Sequence, residues 1–311
     1  MYKAFYGFNE KPYTLTPDPA FLYLSKQHEM ALTMLNYGLQ SEAGISVISG
    51  EVGAGKTTLI REILQTVGGD DSTIGLISNA HSAFGDLLQW VLMAFNVDSD
   101  AQDKAGRYQV LTDFLINNYA NNKKTILIID EAQNIDAETL EELRLISNIN
   151  ADKHLVLQLV LVGQPELLEL MQRHELRQLA QRVSVDYKLK ALGYRETIAY
   201  IKHRLVVAGG KEEVYDKYAM AAIYYHSGGI PRLINTLCDF ALVYGFSEEL
   251  PQINLEIMLD VIKGKQYGGI FPMIQQENKE QAKVRELVQQ TKNIDIRVSM
   301  DENDEIDLDE L

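Results

Sequence analysis

The chain has one cysteine, Cys238, among 311 residues. A lone thiol cannot close an internal disulfide, and no metal-ligand pattern surrounds it. It lies in the apolar run "LINTLCDFALVYGF", which predicts a buried, structural role in a reducing compartment. Long hydrophobic runs are missing too. None approaches the roughly 18–20 residues of a membrane helix, and the N-terminus lacks the basic region and apolar core of a signal peptide. The expectation is a cytosolic chain with no direct membrane insertion, whose membrane-linked tasks pass through a partner. Basic charge is scarce: 29 Lys and Arg stand against 44 Asp and Glu, a net charge of −15. Seven acids crowd into "DENDEIDLDEL" at 301–311, and the first 300 residues still sum to −8. Such a body argues against a nucleic-acid or anionic-membrane partner. The histidines, His28, His81, His154, His174, His203 and His226, are scattered without zinc spacing and are expected to be structural or surface residues. No internal repeat is evident.

An apolar fraction of 46% indicates a globular protein with a sizeable core. Residues 1–25, rich in Pro, Gly and aromatics, predict an ordered loop rather than a helix. Short β-like runs follow at 45–49, 72–78, 125–130, 155–163 and 183–189. Helical patterns at 56–67, 83–95, 107–119 and 136–149 separate most of them. Alternation of this kind predicts an α/β fold with a mainly parallel five-stranded sheet covered on both faces. Beyond about residue 190 the helix-like segments are divided by Gly or Pro, as in a small all-helical domain. Residues 271–311 turn polar and acidic and predict a flexible tail. Within it stand a short helix at 275–291 and an exposed strand at "IDIRVSM", a candidate docking element for a partner.

The strongest motif is "GEVGAGKTT". Gly50, Glu51, Val52, Gly53, Ala54, Gly55, Lys56 and Thr57 fit G-x-x-x-x-G-K-[ST], with a strand before and a helix after. Glycines let successive backbone N–H groups turn inward on a phosphate. The following helix, which takes in Thr58, adds its positive end. Lys56 is expected to bridge the terminal phosphates of ATP and Thr57 to ligate Mg²⁺. "TILIIDEAQNID" sets Asp130 and Glu131 at a strand tip, the first for the Mg²⁺ shell and the second to orient and deprotonate the attacking water. "DEAQ" also occurs in RNA helicases, but the second recombinase-like domain those need is not found in the rest of the chain.

Gln164 follows the run "LVLQLVLVG". If that strand lies between the phosphate-loop strand and the acidic strand, its tip reaches the γ-phosphate or the water; otherwise Gln164 only caps a helix before Pro165. Arg177 and Arg182 precede the fifth strand, where an arginine can enter a neighbouring subunit's site or simply end a helix. Arg232, in "SGGIPRLINTL", opens a helix of the second domain. It is a candidate for contact with the γ-phosphate, or else a surface ion pair.

Taken together, "MYKAFYGFNEKPYTLTPDPAFLYLSKQHEMAL", "GEVGAGKTT", "LIIDEAQNI", "ELRLISNI", "LVLVGQPELLELM", "LAQRVSVDYKL" and "SGGIPRLINTLCDFALVYGF" resemble the ExeA/GspA-like AAA+ ATPases over roughly residues 1–270. The resemblance implies a P-loop NTPase domain at 26–190, a helical lid at 191–270 and an N-terminal segment, 1–25, whose "LTPDP" borders the adenine. It implies Mg²⁺-dependent ATP hydrolysis between subunits of a homo-oligomer, ring or filament. Gln164 takes the first sensor position, Arg182 the finger, with Arg177 the weaker candidate, and Arg232 the second sensor. The secretion member of the family continues into a membrane helix and a peptidoglycan-binding domain, whereas this sequence ends in the acidic tail. Shorter relatives are associated with pilus and exopolysaccharide or exosortase systems. The function implied is therefore assembly of a bacterial envelope machine for secretion, pilus or polysaccharide export, with an envelope protein as partner. A DNA-binding regulator like the transposition ATPases is the alternative, disfavoured by charge and by the lack of a lysine-rich or winged-helix segment. A nucleotide-dependent scaffold with negligible turnover is the third reading, opposed by the intact Glu131 and Arg182.

Overall fold

The computed structural model describes residues 1–15, 18–41, 44–69, 71–78, 86–151, 154–268 and 277–297. They divide into two compact units, 24–190 and 1–23 together with 191 onward.

The first unit is a P-loop NTPase fold of the AAA type. Its elements are α2 (Lys26–Gln40), β1 (Ile45–Gly50), α3 (Lys56–Val67), β2 (Ser72–Ile77), α4 (Leu87–Ala94), α5 (Lys104–Ala120), β3 (Lys124–Ile129), α6 (Ala137–Ile146), a two-residue hairpin of β4 (Asn150–Ala151) and β5 (His154–Leu155), β6 (Gln158–Gly163), α7 (Pro165–Met171), α8 (Arg177–Ala180) and β7 (Val183–Leu189). The main sheet runs β2-β3-β6-β1-β7, every pair parallel. β1 and β6 are buried along their whole length, as continuous apolar strands covered on both faces must be. One apolar layer joins Leu127, Ile129, Leu159 and Leu161 to α4, α5 and α6; the other joins Ile126, Ile128, Val160 and Val162 to α2 and α3.

The single run expected at 155–163 is split. Leu155 pairs antiparallel with Asn150, and the parallel ladder starts only at Gln158. Side-chain caps set several helix starts. Asp86 accepts from Leu88 N, Asp103 from Gly106 N and Asp136 from Thr139 N. The first residues of the helix expected at 83–95 lie outside the described residues.

The second unit is helical: α1 (Tyr2–Tyr6), α9 (Tyr194–Val207), α10 (Lys217–Ser227), α11 (Pro231–Ser247), α12 (Leu255–Gly268) and α13 (Lys279–Lys292). Two expectations are corrected here. The N-terminal segment contains a helix, and its aromatic side chains form core: Tyr2, Tyr6, Phe8, Tyr13 and Phe21 are buried among α9, α10 and α11. Arg204 fastens this segment. Its Nε donates to Pro12 O at 2.5 Å, its other arm reaches Tyr200 OH at 3.0 Å, and its guanidinium lies over the Phe21 ring. The polar segment is also built in over residues 277–297. Val284 and Val288 are one turn apart and bury on this core, as does Ile296. Two apolar positions one turn apart seat an otherwise polar helix, and Ile296 adds a third buried side chain beyond its end. Ile294–Arg297 is not a strand, and Val298–Met300 and the acidic end lie outside the described residues. Among the described residues, no helix is long and apolar enough to cross a membrane.

Residue 297 is reached by way of His226 on α10. Its ring is buried, and Nε2 meets Ile296 O at 2.8 Å. Burial pushes its pKa down to about 4, against the smaller upward pull of the carbonyl. The folded unit therefore keeps His226 neutral where the unfolded chain, at about 6.5, already takes up a proton. Stability should fall as pH drops from about 6.5 to 4, by up to about 3 kcal/mol at 1.36 kcal/mol per unit. His226→Gln retains a donor for Ile296 O but does not titrate. Urea midpoints measured across this range should fall markedly less in that variant than in the parent.

Candidate functional site

Three neighbouring parallel strands deliver the site. β1 ends at Gly50, β6 at Gly163 and β3 at Ile129, with Ser49 opposite Gly163 and Ile129 opposite Leu161. Gln164, Asp130 and the phosphate loop thus emerge along one sheet edge, where open α/β sheets bind ligands. β6 does lie between the other two, the condition under which Gln164 reaches the site.

The loop from Gly50 to Gly55 turns tightly. Gly53 and Gly55 have φ of 80° and 100°, open to glycine and strained for other residues. A Cβ on Gly50 would stand 3.0 Å from Leu189 O of β7. Gly55 is the N-cap of α3, so no side chain competes for the first amides of that helix. Lys56 is folded back and buried, donating to Gly50 O at 2.8 Å and Glu51 O at 3.1 Å. Burial lowers its pKa, while Glu131 and Asp130 pull the other way. Among the described residues only carbonyls hold this ammonium, with acids nearby, which leaves it poised for an anionic ligand.

Asp130 is buried, accepts Glu131 N at 2.9 Å and has Oδ2 3.4 Å from Thr57 Oγ1. Burial raises its pKa, and the Glu131 amide, Lys56 and Thr57 offset this only in part. An under-compensated carboxylate facing a hydroxyl is the donor set a Mg²⁺ ion uses alongside waters and phosphate oxygens. Thr57 and Asp130 therefore fit that ion.

Glu131 has φ 54° and ψ 37°, a left-handed backbone that costs about 1–3 kcal/mol in a residue with a side chain. That turn takes the chain off its strand course at the acidic pair. Glu131 Oε2 accepts from Gln133 Nε2 at 2.6 Å and Gln164 Nε2 at 3.1 Å. Gln133 Oε1 in turn accepts Gln164 N at 2.9 Å. Burial pushes the Glu131 carboxyl up, but these two amides and the charge of Lys56 together hold it below its ordinary value. It stays ionised and able to take a proton.

Gln133 was not expected from sequence, although it stands in "DEAQ". The signal was Gly163 in "LVGQPEL": a Cβ there would meet Gln133 Oε1 at 2.9 Å, so the glycine makes room for this side chain. His28, expected to be structural or surface, is buried against the phosphate loop, with Nε2 3.2 Å from Ala54 O.

Lys56, Thr57, Asp130, Glu131 and Gln164 are thus brought together. Arg182 is not. It is exposed just before β7, whose first residue pairs with Ile45 and whose last pairs with Gly50. The seven residues of β7 put it about 20 Å along the sheet from the phosphate loop. Arg177 is exposed at the same end, in α8. Arg232 is exposed in the first turn of α11, in the helical unit. Replacing Gln133 with Leu should free one lobe of Glu131 and leave burial to raise its pKa. The acid limb of the kcat/KM–pH profile for ATP turnover should shift to higher pH, with the rate on the alkaline side little changed.

An AAA domain family model matches residues 39–171. "General secretion pathway protein A" of Aeromonas hydrophila is 40% identical over 249 residues, 79% of this chain and 45% of that protein. The chain thus spans less than half the length of that relative. Among solved structures, the Aeropyrum pernix ORC2 protein in its ADPNP-ADP complexes superposes with a TM-score of 0.62 at 18% identity, covering 85% of this chain and 74% of that one. Cdc6p from Pyrobaculum aerophilum gives 0.59 at 15% identity, over 80% and 71%. At these identities the likeness is one of fold.

Proposed function

We propose that the chain is an ExeA/GspA-like AAA ATPase that works as a homo-oligomer, hydrolysing ATP between subunits to drive or regulate assembly of a bacterial envelope machine. One observation carries the enzymatic part: Lys56, Thr57, Asp130, Glu131 and Gln164 converge where β1, β3 and β6 end. The envelope setting, and a partner protein there, rest on the likeness to General secretion pathway protein A.

In this reading the loop amides of 50–58 receive the phosphates, and Lys56 exchanges the carbonyls of Gly50 and Glu51 for phosphate oxygens. Thr57 and Asp130 would hold Mg²⁺, which would supply charge neutralisation for the transferred phosphoryl group. Glu131 takes the proton of the attacking water. Gln164 pairs with Glu131 before nucleotide arrives and turns to the γ-phosphate afterwards. Arg182 serves the neighbouring subunit, a role supported by its distance along the sheet from its own phosphate loop. Arg232 reports nucleotide state to the helical unit. The excess of acids works against DNA as the partner.

Lys56→Ala should cut ATP turnover by at least about 100-fold, and an unchanged rate would overturn the enzymatic reading. Glu131→Gln should retain ATP and accumulate oligomer, read by light scattering with ATP and Mg²⁺. Rates measured with and without duplex DNA at physiological salt should agree. Strong stimulation would favour the transposition-type reading instead.

A further inference from the structure

His28 occupies the third position of α2, whose N-cap is Ser25. Both side chains are buried. Ser25 Oγ lies 2.8 Å from His28 Nδ1 and accepts His28 N at 3.4 Å, while His28 Nε2 lies 3.2 Å from Ala54 O. With the ring neutral, one proton arrangement satisfies all three contacts. The Ser25 hydroxyl donates to Nδ1, and the neutral ring donates from Nε2 to the Ala54 carbonyl. Gly55 completes the fit. A Cβ there would stand 2.6 Å from His28 Nε2, so the absence of a side chain at 55 admits the imidazole as well as the φ of 100°.

The Ala54 carbonyl and the Gly55 amide belong to one planar trans peptide, so they point in opposite directions. Holding that carbonyl toward α2 turns the Gly55 N–H away from α2. It is the amide immediately before Lys56, in the stretch where successive N–H groups cradle a phosphate. We propose that His28 is a positioning residue for the nucleotide, fixing the Ala54–Gly55 peptide so that the Gly55 amide is presented to the phosphates. The proposal rests on the nucleotide-binding reading of the loop. It assigns "SKQH" a task for which neither the phosphate-loop motif nor the acidic strand accounts.

The test is binding of a fluorescent ADP analogue to the full chain, with ATPase KM and kcat and a thermal melt in parallel. His28→Leu keeps the volume and loses the donor. It should weaken ADP binding about tenfold and raise KM more than it lowers kcat. His28→Gln, whose Nε2 can take the place of the ring nitrogen, should bind within about threefold of the parent. Ser25→Ala frees the ring and should weaken binding by an intermediate factor, and it decides the matter if the Leu variant does not fold. Lys56→Ala separates the two readings. If it loses ADP while the Leu and Ser25 variants bind like the parent, His28 is packing only and the proposal fails. If the parent itself does not bind ADP, the nucleotide reading has failed and takes the proposal with it.

Discussion

Ser49 of β1 stands opposite Gly163 of β6, and two further rungs set Ile129 of β3 opposite Leu161. This parallel register is the constraint on which the site depends. Parallel strands have all their C-terminal ends at one edge, and the register decides how far each protrudes. A slip of one residue on any of the three would also turn its side chains to the opposite face. The fully buried apolar strands prevent that, because Ile126, Ile128, Val160 and Val162 belong to one layer and their alternating neighbours to the other. Burial of the sheet thereby fixes the spacing between a lysine, a threonine, two acids and two glutamines.

The site that results is held under opposing forces. Lys56 is pushed toward neutrality by burial and pulled back by Glu131 and Asp130, while Asp130 is itself pushed toward protonation. Neither charge is fully answered by the protein. Glu131 differs, with two amides on one oxygen that, together with the charge of Lys56, outweigh its burial. A buried cation and a buried anion with spare capacity, beside a well-served carboxylate, match a ligand that brings phosphate and a divalent cation. The left-handed turn at Glu131 is the local cost of this arrangement.

The helical unit draws its core from both ends of the chain. Aromatic residues before position 22 and valines after 283 belong to the same core. Gly229 shows how closely the unit is built. It has φ 76°, a Cβ there would lie 1.8 Å from Leu192 O, and its own carbonyl accepts Leu192 N. The "SGG" turn thus ties the entry of the unit to the start of α11.

Local chemistry determined much from the sequence alone. Glycines followed by Lys-Thr, an apolar run ended by two acids, and alternating strands and helices each carry their meaning within about ten residues. Those signals were enough for a five-stranded parallel sheet, a phosphate loop and an acidic strand tip. Only the tertiary structure decided what lies far apart in sequence. His28 meets Ala54 across 26 residues, and Gln133 meets Gln164 across 31. Neither residue is unusual in its own segment, so neither had a local signature. The same reason explains the ends of the chain. Loop-like composition at 1–25 and polar composition after 276 describe what those segments expose. Their few buried side chains could be recognised only once α9, α10 and α11 had formed the surface that receives them.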